Sequence, residues 1–365
     1  MIRQILFPIF ETMKQTISLR VKKIIRETPG TISLLLEDVD KKAVPYQAGQ
    51  FLTLLLRVHG HAVRRSYSLS SVPGIDPDMK ITIRRVENGE VSRYLIDHIK
   101  EGDVLESLPP SGRFVLEASH TARDIFLVAG GSGIAPLLGL LKKTLRDEPQ
   151  SFVTLLYASH DEASAIYFSE LQQWQDQYPE RLRIHYFFST PADKERYPPR
   201  RLQNTLFEQI VSNGLHFAPG DACFFLCGPA ALMRMAELTL LFMGFASSQI
   251  RRENFVSPVL TAPPAHHAGA HATPSKAKIH YAGKIYEISI PAGENILQAA
   301  LEQGIRLPYS CRGGLCSTCA ARCRKGKVRM LVNEVLTERD IAEGWVLTCV
   351  GIPETGELEI DFDPS

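Results

Sequence analysis

Four cysteines crowd into "PYSCRGGLCSTCAARCRKGKV", at Cys311, Cys316, Cys319 and Cys323, and a fifth, Cys349, follows in "GWVLTCVGI". Four thiolates suit either zinc or an iron–sulfur centre. One of the five is therefore surplus. Three other stretches carry residues suited to phosphates and flat heterocycles. In "DIFLVAGGSGIAPLLGLL" an apolar run reaches Gly130, Gly131, Ser132 and Gly133, then a helix beginning with Ile134 and Pro136. Glycines there permit a tight turn, and the amides at a helix start attract an anion such as a pyrophosphate. "ACFFLCGPAALM" delivers Cys227, Gly228 and Pro229 to a helix in the same way. "RRSYSLSS" offers Arg65, Ser66, Tyr67 and Ser68: a guanidinium for a phosphate, a ring for stacking and hydroxyls for a ring nitrogen. "RRVENGEVSRYL" adds Gly89, Val91 and Ser92.

These residues need elements to hold them, and the chain changes rhythm three times. Residues 15–118 alternate apolar and polar over short runs, "ISLRVKKII", "TISLLLE", "FLTLLL" and "KITIRRV", which predicts an all-β domain, a small barrel. Over 119–256 apolar strands alternate with helical stretches, so βαβ units on a parallel sheet are expected. "ALMRMAELTLLFMGF", broken by Arg234 and Glu237, reads as an amphipathic helix too short to cross a bilayer. Residues 257–277, rich in Pro, Ala, Ser, Thr and His, read as a flexible linker, and its His266, His267 and His271 have no scaffold to fix a metal. From 278 to 365 a hairpin in "AKIHYAGKIYEISI" and a short helix stopped by Gly304 precede the cysteine loop, which predicts a small α+β domain. Residues 1–14 form an N-terminal extension without the features of a signal peptide, and Met13 is an equally good start.

The totals narrow the function. The 365 residues suffice for two to three domains, and 41 basic against 40 acidic residues leave no field favouring nucleic acid or an anionic membrane. Seven cysteines, mostly in one segment, argue for ligation in a reducing compartment, hence a cytoplasmic protein. Cysteine spacing sharpens the metal question. Cys311, Cys316, Cys319 and the distant Cys349 match the C-x4-C-x2-C plus one spacing of plant-type [2Fe–2S] sites. The compact bacterial run ending at Cys323 would need a cysteine at Gly313. Zinc stays open on ligand type alone, but the glycines after Cys311 favour iron–sulfur, because backbone amides can approach the sulfurs there.

Taken in order, "RSYS", "GGSGIAP" and "CGP" resemble the motifs of the ferredoxin-NADP-reductase-like flavoproteins, and "LPYSCRGGLCSTC" with "GWVLTCVGIP" resembles a plant-type ferredoxin fused behind them. The whole order resembles the reductase subunit of phenylacetyl-CoA epoxidases and related oxygenase reductases. The resemblance implies a multidomain fold: a β-barrel flavin domain, an α/β parallel-sheet nucleotide domain and an α+β ferredoxin-like (β-grasp) iron–sulfur domain. It implies that Arg65 and Ser92 hold the flavin pyrophosphate, Tyr67 stacks on the ring, Ser68 bonds near N5, and "RRENF" supplies Glu253 and Phe255 beside it. Ser68 and Cys227 are the expected catalytic pair, orienting flavin and nicotinamide from opposite sides.

The implied activity is an NAD(P)H-dependent reductase in which flavin, FAD rather than FMN, divides a two-electron donor into single electrons for a [2Fe–2S] cluster. The expected partner is a terminal oxygenase, such as a phenylacetyl-CoA epoxidase or ring hydroxylase, or else a hybrid-cluster or desaturase system. A redox sensor and a stand-alone quinone or ferric reductase are the rival readings. Ser159 and His160 lean toward NADPH, whereas Asp161 could accept ribose hydroxyls instead, and Arg196, Arg200 and Arg201 lie near in sequence.

Overall fold

A computed structural model describes residues 16–117, 119–255, 274–333 and 335–363. The extension 1–14 and the three linker histidines lie outside the described residues. The chain divides into two compact units, one of them Ser18–Asn254 and the other holding the residues from Phe255 onward.

The first unit opens with β1 (Ile17–Thr28), β2 (Thr31–Asp38), β3 (Phe51–Val58), β4 (His61–Ser68), β5 (Met79–Arg84), α1 (Glu90–His98) and β6 (Val104–Ser111). The sheet order is β4-β3-β6-β1-β2-β5. Leu69, next after β4, bridges Ile81 of β5, so the two edges meet and the sheet closes as a barrel. Closure removes the unpaired edges an open sheet would expose. Leu34, Leu36, Leu52, Leu54, Ile81 and Ile83 are fully buried. One expectation is corrected here. The stretch read as all-β contains α1, because "EVSRYLIDH" puts Val91, Ser92 and Leu95 on one buried helical face.

The chain continues through β7 (Asp124–Gly130), α2 (Ile134–Asp147), β8 (Phe152–Ser159), α3 (Phe168–Gln177), β9 (Leu182–Phe188), α4 (Asn204–Gly214), β10 (Ala222–Cys227), α5 (Ala230–Phe242) and β11 (Ile250–Glu253). These strands form a sheet in the order β11-β10-β7-β8-β9 with every pairing parallel. All seven residues of β7 are buried, as a central parallel strand covered on both faces requires. The cluster under α2 and α3 also takes in Ala48, Val72, Phe114 and Leu116 of the barrel part, so the two halves share one core. The amphipathic segment read from sequence is α5, with Met233, Ala236 and Leu240 buried. Among the described residues no helix is long and apolar enough to cross a membrane.

The second unit holds β12 (Ser275–Tyr281), β13 (Lys284–Ile290), α6 (Ile296–Glu302), β14 (Ala320–Lys325), β15 (Val328–Met330), α7 (Glu338–Ala342), β16 (Trp345–Leu347), β17 (Gly351–Pro353) and β18 (Glu357–Asp361). Its main sheet runs β13-β12-β18-β14-β16 and is mixed, β12 pairing parallel with β18 and antiparallel with β13. Strand β12 begins at Ser275, three residues inside the segment assigned to the linker, because Lys276 and Ala277 already pair with Glu357 and Leu358. Gly304 adopts a left-handed φ of 80° after α6, the stop read from sequence.

Candidate functional site

Two sites emerge, one in each unit. In the first, three chain segments converge where the barrel meets the parallel sheet. Strand β4 ends at Ser68, whose Oγ donates to Glu253 Oε2 at 2.9 Å, a buried bond between groups 185 residues apart. Glu253 ends β11 and pairs with Cys227, the last residue of β10. Burial pushes the Glu253 carboxyl up to about 8, although the Ser68 bond opposes the rise, so the group is largely protonated at neutral pH. Burial also raises the Cys227 thiol well above its usual value, and the neighbouring Glu253 adds to that. Cys227 is thus a neutral thiol, fully buried, and not a nucleophile of the thiolate kind. Phe255 is 46% exposed.

The two glycine turns lie against each other. A Cβ on Gly228 would come 2.8 Å from Gly130 N, and one on Gly133 would come 2.1 Å from Cys227 O. Gly130 likewise has no room beside Pro229 Cδ, at 2.4 Å. Backbone-to-backbone packing of this tightness is why these positions must be glycine. Gly131 has a φ of 53°, and Ser132 and Gly133 complete a single 3-10 turn into Ile134, where Pro136 sits in the first turn of α2 and needs no N–H partner. Arg84, which the sequence reading missed, reaches this turn from the end of β5: its Nη1 would lie 2.6 Å from a Cβ on Gly131.

On the barrel, Arg65 is exposed, Tyr67 is half-buried and Ser66 Oγ shares a hydrogen bond with Thr53 Oγ1 at 2.9 Å. Burial raises the Tyr67 phenol, so it stays neutral. Gly89 caps α1, and the Ser92 hydroxyl accepts from Val86 N at 3.1 Å and lies 3.4 Å from Gly89 O, which closes the turn. Val91 is buried beside it. The first amides of α1 therefore remain for an anion. Ser159 ends β8; its Oγ bonds Ser164 Oγ at 3.1 Å, while Asp161 Oδ1 accepts from Ser164 N at 2.8 Å. The residues present fit a dinucleotide flavin and a pyridine nucleotide: two glycine turns that a Cβ would fill, a helix start, and a buried neutral acid tied to a serine.

In the second unit Cys311, Cys316, Cys319 and Cys349 gather. The Cys349 thiol is in contact with those of both Cys311 and Cys319, and Cys311 is in contact with Cys316. Backbone amides of Gly313 and Leu315 both lie 3.4 Å from Cys311 Sγ, and that of Cys311 lies 3.4 Å from Cys316 Sγ. Gly314, at a φ of 76°, passes so close to Val332 that a Cβ would lie 2.6 Å from its carbonyl oxygen. The four thiols form one connected group, Cys316 to Cys311 to Cys349 to Cys319, and backbone amides are aimed at Cys311 and Cys316; that donor set fits a two-iron cluster. Cys323 is elsewhere: half-buried on β14 at the edge of the core, its Sγ lies 3.3 Å from Lys325 O.

Three family models match consecutive parts of the chain: an oxidoreductase FAD-binding domain over 17–116, an oxidoreductase NAD-binding domain over 127–238 and a 2Fe-2S iron-sulfur cluster binding domain over 279–354. The chain is 33% identical over 352 residues to the E subunit of 1,2-phenylacetyl-CoA epoxidase from Escherichia coli K12, covering 95% of this chain and 97% of that one. It belongs to the oxygenase reductase family. A second relative, the ferredoxin reductase component of 3-ketosteroid-9-alpha-monooxygenase from Mycobacterium tuberculosis, is 32% identical over 362 residues, 95% of this chain and 96% of that one. Phthalate dioxygenase reductase shares the architecture at a TM-score of 0.59 and 25% identity, covering 95% of this chain and 98% of that one. The reductase is an oxidoreductase that passes electrons from NAD(P)H through FAD to a [2Fe–2S] cluster. All seven cysteines are free, as an iron–sulfur protein requires of its ligands.

Proposed function

We propose that this reductase supplies electrons to a terminal oxygenase of the phenylacetyl-CoA epoxidase kind, with Ser68, Glu253 and Cys227 forming the hydride-transfer site and Cys311, Cys316, Cys319 and Cys349 holding the cluster. The observation that carries the site assignment is the buried Ser68–Glu253 bond beside Cys227. Bound there, FAD supplies the step from a two-electron donor to single-electron transfer. The chain's own part is to bind and orient. Ser68 and Cys227 orient the rings, Glu253 in its neutral form fixes the Ser68 hydroxyl, and the Gly130–Gly133 turn with the start of α2 takes the coenzyme pyrophosphate. Arg65, Tyr67 and the amides at Gly89 to Ser92 hold the flavin. The share of both chains covered at 33% identity supports the acceptor assignment, since that relative is itself part of an epoxidase.

The coenzyme choice turns on the end of β8. Ser159 is bonded to Ser164, and the His160 ring to Thr190, so both groups expected for a 2′-phosphate already have partners. Asp161 is kept ionised by its bond from Ser164, and a carboxylate there suits ribose hydroxyls. These bonds favour NADH, against the NADPH expectation. The test is steady-state reduction of cytochrome c by the purified protein with each coenzyme, followed by reconstitution with the purified epoxidase. A kcat/KM at least tenfold higher for NADH and acyl-CoA epoxidation dependent on this chain are expected; equal or reversed coenzyme preference, or no support of the epoxidase, overturns the respective assignment.

A further inference from the structure

Strand β5 has two faces with different tasks. Ile81 and Ile83 are fully buried, while Lys80, Thr82 and Arg84, at every second residue, share the opposite face and meet the nucleotide domain. Lys80 Nζ bonds Glu170 Oε2 of α3 at 2.9 Å and lies 4.7 Å over the Tyr167 ring. The Thr82 hydroxyl bonds the Tyr167 hydroxyl, and Arg84 covers Gly131. Tyr167 caps α3 with a φ of 62°, a left-handed conformation a tyrosine adopts only when its surroundings impose it. Glu170 is held again by Lys142 Nζ at 2.6 Å, and Lys142 in turn reaches Asp76 at 3.0 Å. Two nearly buried lysines gain little net stability from such pairs; what the pairs fix is the placement of α3 against the barrel.

That placement reaches the glycine turn through one side chain. Ile166, immediately before Tyr167, donates its N–H to Tyr157 OH at 2.9 Å. The same hydroxyl donates to Gly131 O at 3.3 Å, with Ile166 O at 3.4 Å as a competing acceptor. Tyr157 is fully buried in β8, and burial keeps its phenol protonated, so it can accept from one backbone group and donate to another. Gly131 is thus reached from two directions by the same strand: Arg84 lies directly over it, and Thr82 connects to its carbonyl through Tyr167, Ile166 and Tyr157.

We propose that the polar face of β5 and the Tyr157 hydroxyl position the Gly130–Gly133 turn, so that the grip on the coenzyme pyrophosphate is set by the flavin barrel and not by the nucleotide domain alone. Tyr157 and Thr82 are positioning residues acting through Gly131. The proposal rests on the reading of that turn as the NAD(P)H site.

The test uses Tyr157→Phe and Thr82→Val in the full-length holoprotein. Three measurements are compared with wild type: hydrogen–deuterium exchange of the segment 129–135, the dissociation constant of NAD+ from spectral titration of the oxidised flavin, and the split between KM and kcat for NADH. Tyr157→Phe is expected to speed exchange in that segment and to weaken NAD+ and raise KM about fivefold, the factor one ordinary hydrogen bond gives, with kcat within about twofold. Thr82→Val moves the same quantities less. Unchanged exchange and affinity in both variants overturn the proposal, as does a fall in kcat without a change in KM. If Tyr157→Phe does not fold, Thr82→Val decides by the same measurements. A wild-type protein that binds neither NAD+ nor NADP+ overturns the nucleotide-site reading instead, while the exchange comparison still decides the positioning role.

Discussion

The two sites of this reductase are built in opposite ways. Three of the four cysteines proposed to hold the cluster fall within nine residues of one loop, and the fourth, Cys349, follows β16. The proposed hydride-transfer site joins Ser68 to Glu253 across 185 residues, and Cys227 enters from a third segment. A local site tolerates changes in the rest of the fold but not the loss of a ligand. A composite site depends on the packing of barrel against sheet, and its groups are tuned by burial: Glu253 is held at about 8 because desolvation outweighs its bond from Ser68.

The contrast can be broken most sharply at the cluster. Cys349→Ser is expected to remove it altogether, read as loss of visible absorbance and of bound iron and sulfide, while reduction of the flavin by NADH survives. Next in size, Ser68→Ala is expected to slow flavin reduction about a hundredfold in stopped flow, with cluster absorbance intact. If Ser68→Ala also loses the cluster, the two sites are not separately built.

Glu253 yields a smaller effect with a defined sign. Its carboxyl titrates at about 8 in the folded chain against an ordinary value of 4.5, so between those limits the unfolded chain releases a proton that the folded chain keeps. Stability therefore falls as pH rises through that window and is level above it. Glu253→Gln is expected to abolish this slope, worth on the order of a few kcal/mol, in urea unfolding measured at about pH 5 and about pH 8.5. A slope that persists in the variant assigns the titration to another group. The smallest effect is expected of Cys323→Val, which keeps the cluster and its spectrum, since Cys323 sits at the edge of the core and contacts carbonyls of its own turn.

Much of this was readable in the residues. Ligand spacing separated Cys349 from Cys323, and the change from period-two runs to strand–helix alternation marked the change of domain. Helix α1 was missed because "EVSRYLIDH" is short and follows strands of the same composition. Lys80 and Thr82 were missed for a different reason: in "MKITIR" they occupy the polar positions of an alternating strand, which normally face water. The nucleotide domain covers them, leaving Lys80 and Thr82 buried.

By itself the sequence determined the three kinds of domain and pointed to the proposed cluster ligands and glycine turns, because each is written in a spacing or a period that local chain geometry enforces. Only the tertiary structure decided that Glu253 is a neutral acid bonded to Ser68, that Cys227 is a buried thiol, and that one face of β5 lies against the nucleotide domain. Those properties come from burial and from contacts between residues far apart in the chain, and no local pattern encodes the dielectric around a side chain.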